Sequence, residues 1–320
     1  MSKFTSAFAN YFEGFLQYKE SHGHTRKSYL RLLEQFDQYC AAKYPNAAEL
    51  TKDCVLGWIQ KRPKESSDSF GRRTRLVRQL GEYMTLMSVP AYILPHKLGS
   101  GKSEFTPYLF TDHELKMFFH AADHIAPSPQ NPFRAAVVPV IFRLIYTCGL
   151  RPGEGRCVKR SNINFQTGEI LIEGKKKHKQ RIVVMSDDML KLCLQYDKKR
   201  SVLFSGSDWF FPDPSGNPYT SQWLLKIFKN CWKNAHATYS IQCAPNVRVY
   251  DLRHRFATTV IHKWTSEGKN VSAMLPYLRT YMGHEHFNET LYYIHLLPEN
   301  LACIVEQDTL TSIIPEVDYE

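Results

Sequence analysis

Thr147-Cys148-Gly149-Leu150-Arg151-Pro152-Gly153-Glu154 closes a strongly apolar stretch, about 134–149, and sets an arginine just beyond a glycine. A carboxylate follows three residues later. The apolar stretch predicts a buried helix that ends at Gly149. Alone, an Arg–Glu pair at this spacing reads as a surface ion pair. Its meaning depends on what surrounds it.

Downstream the hydrophobic period changes. Ile163-Asn164-Phe165, Glu169-Ile170-Leu171-Ile172 and Arg181-Ile182-Val183-Val184 read as strands, joined by turns at Thr167-Gly168 and at 174–180. Helical spacing resumes around 187–200, 219–237, 252–266 and 271–281. Trp209-Phe210-Phe211-Pro212 reads as a loop with core-packing aromatics. Upstream, Thr111-Asp112-His113-Glu114 has the pattern of a capping box ahead of Leu115, Phe118 and Phe119. Residues 89–107 contain Pro90, Pro95, Gly99, Gly101 and Pro107, which break helices and mark a linker. Before them, apolar residues recur at helical spacing over 4–20, 25–43, 51–62 and 69–88, with Pro45 and Pro63 as stops. His22 and His24 are expected in a surface loop. The pattern predicts a mainly α protein with a small β-sheet in two domains.

The chain has 320 residues, 43% hydrophobic and 22% charged. That composition excludes a disordered chain. The apolar runs fall short of the ~20 residues a membrane span needs, and Met1-Ser2-Lys3-Phe4 lacks the apolar core of a secretory signal. Eight scattered cysteines without a CxxC pair suit a reducing cytoplasm, the expected location. Residues 1–100 hold 15 Lys and Arg against 9 acids, and residues 101–300 hold 26 against 17. Residues 301–320 hold five acids and no base. Two basic bodies fit a phosphate backbone equally as well as they fit a merely basic enzyme. Arg72, Arg73, Arg75 and Arg78 on the fourth helix are either a solvated face or a row of phosphate contacts.

Three further strings carry polar residues with chemistry. Gly174-Lys175-Lys176-Lys177-His178-Lys179-Gln180-Arg181 is a basic hairpin. Tyr250-Asp251-Leu252-Arg253-His254 opens a helix, with Arg253 expected in its first turn. Tyr281-Met282-Gly283-His284 is followed nine residues after the histidine by Tyr293, next to Tyr292. With Thr147–Glu154, this ordered set resembles the tyrosine recombinase (phage integrase) family over about 108–297. The family pattern has an arginine in a TGLR..E box, a hairpin lysine after glycine, an HxLRH box, an LGH box and a tyrosine nine residues beyond that last histidine. A narrower likeness, to recombinases of Gram-positive mobile elements, is noted with it.

The resemblance implies a nucleophile, Tyr293, that attacks a DNA phosphodiester and holds it as a 3′-phosphotyrosyl link, so that rejoining needs no ATP. It implies Arg151 and Arg253 on the non-bridging oxygens, where two guanidinium groups stabilise a phosphorane. It implies His284 as a hydrogen-bond donor to the phosphate and Glu154 as a support for Arg151. Lys175 would protonate the departing 5′-oxygen, with Lys176 and Lys177 as alternatives because the hairpin is one residue longer than usual. Tyr250 replaces the family's first histidine, and a phenol is a poor general base near neutral pH. Proton removal from Tyr293 then relies on Tyr250 or on another group. His254 reads as a structural or supporting residue, Tyr292 as packing, and Lys176, Lys177 and Lys179 as DNA contacts.

The expected architecture is a tyrosine recombinase-like clamp: a helical core DNA-binding domain over 1–90, a linker over 91–107, and an α+β catalytic domain over 108–297. An acidic tail over 298–320 either docks in trans on a neighbouring protomer, as the resemblance suggests, or folds back in cis or frays. The expected partners are double-stranded DNA, with the protein nucleoid-associated when bound, and other protomers in a tetrameric synaptic complex, without a membrane. No cofactor is expected; His284, His286, His295 and Cys303 match no zinc spacing. The rival readings are a type IB-like topoisomerase, a telomere resolvase and a DNA-binding accessory protein without catalysis.

Overall fold

The computed structural model describes residues 4–98, 106–174, 180–237 and 246–296. The chain forms two compact units, one up to residue 105 and one from residue 106.

The first unit is helical: α1 (Ala9–Ser21), α2 (Lys27–Lys43), α3 (Lys52–Trp58) and α4 (Ser67–Leu86). The apolar stripes meet as their spacing predicts. Phe12, Phe15 and Leu16 of α1, Leu33 and Phe36 of α2, and Val77 and Leu80 of α4 are fully buried, and the rings of Phe12 and Phe36 lie 5.8 Å apart. Side-chain oxygens of Thr51 and Ser66 accept the orphan amides of Cys54 and Ser69, which fixes where α3 and α4 begin. α3 stops at Trp58, short of the predicted 62. Arg73 of α4 supplies the reason: its guanidinium donates to the carbonyls of Trp58 and Gln60, satisfying the end of the helix from outside.

The second unit is built around α6 (Arg134–Thr147), whose residues Val137, Val138, Ile141, Phe142, Leu144 and Ile145 are fully buried. Around it lie α5 (Asp112–Asp123), the short α7 (Pro152–Arg156), α8 (Asp187–Leu203), α9 (Ser221–Ala237), α10 (Val249–Ser266), α11 (Val271–Met282) and α12 (Asn288–His295). The predicted capping box opens α5, with Thr111 and Glu114 bonded reciprocally at 3.2 and 2.8 Å. β1 (Glu169–Ile172) and β2 (Arg181–Val184) pair antiparallel in the register Ile172↔Arg181. The predicted third strand at 163–165 is only a single bridge, Ile163 to Ile170. The Asn164 side chain accepts the amides of Gln166 and Thr167 and turns the chain away from the sheet. Phe210 and Phe211 are buried loop residues. No helix among the described residues is long and apolar enough to cross a membrane.

Candidate active site

Two helix ends create the site. α6 and α11 each close on a left-handed glycine, Gly149 at φ +61° and Gly283 at φ +65°. In each, the amide one residue later reaches back to the last turn: Leu150 N to Ile145 O at 2.9 Å and His284 N to Arg279 O at 3.0 Å. This closure leaves nearby carbonyls pointing outward. Arg253 Nη1 donates to Gly149 O at 2.8 Å and Nη2 to Met282 O at 2.6 Å. Arg151 Nη2 donates to Gly283 O at 2.6 Å. Arg253 is thus oriented by neutral acceptors, which hold it without cancelling its charge, and Arg151 is oriented in part by one.

One carboxylate supplies the rest of the support. Glu154 accepts from Arg151 Nη1 at 2.9 Å and from the Arg151 amide at 2.8 Å. It also takes two bonds from Arg181 at 2.9 and 2.7 Å, and Arg253 Nη1 lies 3.8 Å away. Burial alone would raise the Glu154 pKa; the Arg181 and Arg151 contacts outweigh it and hold it at about 2. For Arg151 burial works against the charge, and Glu154 more than offsets it, so its pKa is raised. Arg253, which has no exposed side-chain surface, is lowered by burial. Its Nε has no hydrogen-bond partner among the described residues.

Arg181 was not singled out by sequence. It begins β2, donates through Nε to Tyr281 O at 2.7 Å, and so joins the hairpin stem to α11 and Glu154. The signal lay in a basic residue starting an apolar strand, which is indistinguishable from a solvated strand end in the sequence alone.

α10 begins at Val249, three residues before the predicted start. The buried Asp251 accepts the Arg248 amide at 2.8 Å and caps it. Arg253 is therefore in the second turn and not the first, and Tyr250 and His254 share a helix face with ring centroids 5.0 Å apart. His254 Nδ1 is 3.3 Å from the Tyr293 hydroxyl. Tyr293 itself, on α12, is 2% exposed. The His284 ring stacks on it at 5.9 Å between centroids, and His284 Nδ1 bonds Thr290 Oγ1 at 2.8 Å. Thr290 sits one turn before Tyr293 and is a second residue that sequence reading passed over. Tyr292 meets Tyr293 edge-on at 6.2 Å.

Burial pushes the Tyr293 phenol up to about 12, against the pull of Arg253. Burial, reinforced by Arg253, Arg151, Arg181 and His254, lowers His284 to about 3. Burial, then Arg248 and Arg253, lowers His254 to about 4. At neutral pH the cluster therefore presents guanidinium cations, two neutral imidazoles and a protonated phenol. Such a set can bind an oxyanion, and a nucleophilic phenol in it needs a route for its proton.

Arg151, Glu154, Tyr250, Arg253, His254, His284 and Tyr293 are thus brought together. Lys175, Lys176, Lys177 and Lys179 lie outside the described residues, as do residues 298–320. The four arginines of α4 separate. Arg72 and Arg75 are exposed. Arg78 donates to the carbonyls of Leu94, Pro95 and Leu98 and ties down the following segment. Arg73 is 1% exposed and ion-paired with Glu65 at 2.7 Å; its side chain is committed to the core, which corrects its expected place on DNA. Among the described residues no group of three His, Cys, Asp or Glu could hold a metal ion.

Residues 109–300 match the Phage integrase family. The chain belongs to that family, and with it to the tyrosine-type site-specific recombinases. An integrase/recombinase of Sinorhizobium fredii, y4rE by name, is 27% identical, over 88% of this chain and 87% of its own. Tyrosine recombinase XerC of Staphylococcus saprophyticus is 24% identical, over 88% and 90%. In fold, the chain is similar to the XerH site-specific recombinase in a post-cleavage complex with its palindromic difH substrate, at a TM-score of 0.66 and 20% identity, over 86% of this chain and 77% of that one. The likeness to Gram-positive mobile-element enzymes finds no particular support among these relatives.

Proposed function

We propose that this protein cleaves and rejoins double-stranded DNA at specific sites, with Tyr293 as the nucleophile. The observation that carries this reading is the meeting of Arg151, Arg253, His284 and Tyr293, from four separate segments, at one cluster. Arg151 and Arg253 grip the non-bridging oxygens of the scissile phosphate, the spare Nε of Arg253 being one further donor. His284 and Tyr250 add hydrogen bonds to the phosphate. Glu154 and Arg181 act as positioning residues. The phenolic oxygen attacks phosphorus, forming a 3′-phosphotyrosyl link and releasing the 5′-oxygen. A lysine of 175–177, first of all Lys175, protonates that oxygen. A second strand's 5′-hydroxyl reverses the step and restores Tyr293.

Charge supports DNA as the substrate, the chain being +10 at pH 7. The first unit serves as the core DNA-binding domain, with the exposed Arg72 and Arg75 on phosphates. Exchange between duplexes requires four protomers, and the enzyme acts in the cytoplasm, on the nucleoid. The test uses nicked suicide duplexes taken from the ends of the element or locus that encodes the protein. A denaturant-resistant adduct should map to Tyr293. Tyr293→Phe should retard the same DNA and form no adduct; an adduct with that variant, or retardation without an adduct in the wild type, overturns the reading.

A further inference from the structure

Tyr293 must lose a proton to become a nucleophile, and a buried phenol does so reluctantly. Three side chains surround it that sequence or structure offers as acceptors. Tyr250 is a phenol, itself an acid and not a base near neutrality. His284 gives its Nδ1 to Thr290, at 2.8 Å, and its ring lies stacked against the Tyr293 ring. Among the described residues, His254 brings a ring nitrogen, Nδ1, within hydrogen-bond reach of the hydroxyl, at 3.3 Å. It stands one helical turn beyond Tyr250, on the same face.

We propose that His254 is the catalytic base that takes the Tyr293 proton, doing from the next turn of α10 what Tyr250 cannot. The proposal rests on Tyr293 being the nucleophile. In the forward step the phenolic proton moves to His254 Nδ1 as the phenolic oxygen bonds to phosphorus. The bond from phosphorus to the 5′-oxygen breaks, its electron pair leaves with that oxygen, and a lysine ammonium or water supplies the proton. In the reverse step a 5′-hydroxyl attacks phosphorus and gives its proton to the lysine amine or water, the bond from phosphorus to the Tyr293 oxygen breaks, and His254 returns its proton to that oxygen.

The charged and titratable groups facing His254 are Tyr250, Arg248 and Arg253 from its own helix, Tyr293 from α12, and His284 from the turn after α11. Burial and the two arginines keep the imidazole neutral at pH 7; in the tautomer protonated at Nε2, Nδ1 accepts from the Tyr293 hydroxyl. A phosphodiester seated on Arg151 and Arg253 adds a negative charge that offsets the arginines and returns basicity to the imidazole when it is needed.

The test is the single-turnover rate of adduct formation on the suicide duplex between pH 7 and 9, using the full chain. The wild-type rate should be level across this range, because the base is already unprotonated. His254→Gln should bind DNA as the wild type does, form adduct about 100-fold more slowly at pH 7, and gain about tenfold per pH unit as hydroxide takes over the proton. Added imidazole should restore part of the rate to His254→Ala. Tyr250→Phe, whatever its rate, should keep the level profile. A wild-type rate that itself climbs tenfold per pH unit overturns the proposal without recourse to any variant. So does a His254→Gln profile parallel to the wild type, or the hydroxide-dependent profile appearing in Tyr250→Phe instead. An adduct mapped to a residue other than Tyr293 removes the parent reading, and this proposal with it; an adduct on Tyr293 with any of the three preceding results removes this proposal alone.

Discussion

Replacing Glu154 by glutamine keeps the shape of the side chain and removes its charge, which tests how the arginine cluster is held. The carboxylate takes two bonds from Arg181 and two from Arg151, with Arg253 close by. Its pKa falls from 4.5 to about 2, and its side chain is only 16% exposed. Carried through proton linkage, that displacement corresponds to about 3 kcal/mol of folding free energy at neutral pH. The group's pKa is depressed in the folded state, so this contribution is complete well above pH 4.5 and is lost as the pH falls towards 2. With a urea dependence of roughly 2 kcal/mol per molar, Glu154→Gln should unfold about 1.5 M earlier than the wild type at pH 7. Tryptophan fluorescence suits the assay, since Trp209, Trp223, Trp232 and Trp264 all lie in the second unit. The gap should narrow below pH 4.5 and fall to less than half by pH 3. A variant that unfolds at the wild-type midpoint at pH 7, or a gap undiminished at pH 3, would refute the view that one ionised carboxylate holds three arginines together.

Other consequences can be checked alongside. Gly283→Ala puts a side chain on left-handed backbone, with its Cβ 2.9 Å from Arg181 Nη1; it should cost about 1–2 kcal/mol and slow adduct formation more than it weakens DNA binding, as measured by suicide-substrate kinetics against retardation. Arg75→Ala should weaken binding and flatten the slope of log affinity against log salt by about one, while Arg73→Ala should instead destabilise the first unit by about 3 kcal/mol by leaving the Glu65 carboxylate, largely buried, without its ion pair. His254 and His284 have lowered pKa values, so their neutral forms support the fold fully above about pH 6.5 and progressively less as the pH falls towards 4 and 3. The wild type should therefore lose stability from pH 6.5 to 4, and His284→Asn should lose less over the same interval in chemical unfolding.

The helices were legible because their apolar stripes coincide with what they bury: Phe12, Phe15 and Leu16, or the run from Val137 to Tyr146. The capping box at Thr111 was legible because its chemistry is local. What failed depended on partners distant in the chain. α3 ends early because Arg73 reaches it from α4, and α10 starts early because Asp251 caps it. The chemical residues were recognised by order and spacing, yet the sequence carried no sign that Arg181 would hold Glu154 or that Thr290 would hold His284. A run of arginines in α4 likewise looks uniform on paper. Only packing separates Arg73, buried, from Arg72 and Arg75, exposed.

The burial of Tyr293 bears on how the proposed nucleophile is kept before DNA arrives. A phenol enclosed to 98% and bonded to an imidazole is screened from dissolved electrophiles and oxidants as well as from solvent. With Tyr293 as the proposed nucleophile, the resting molecule stores its reactive group in a passivated state. On that proposal, side reactions are suppressed until a duplex is engaged.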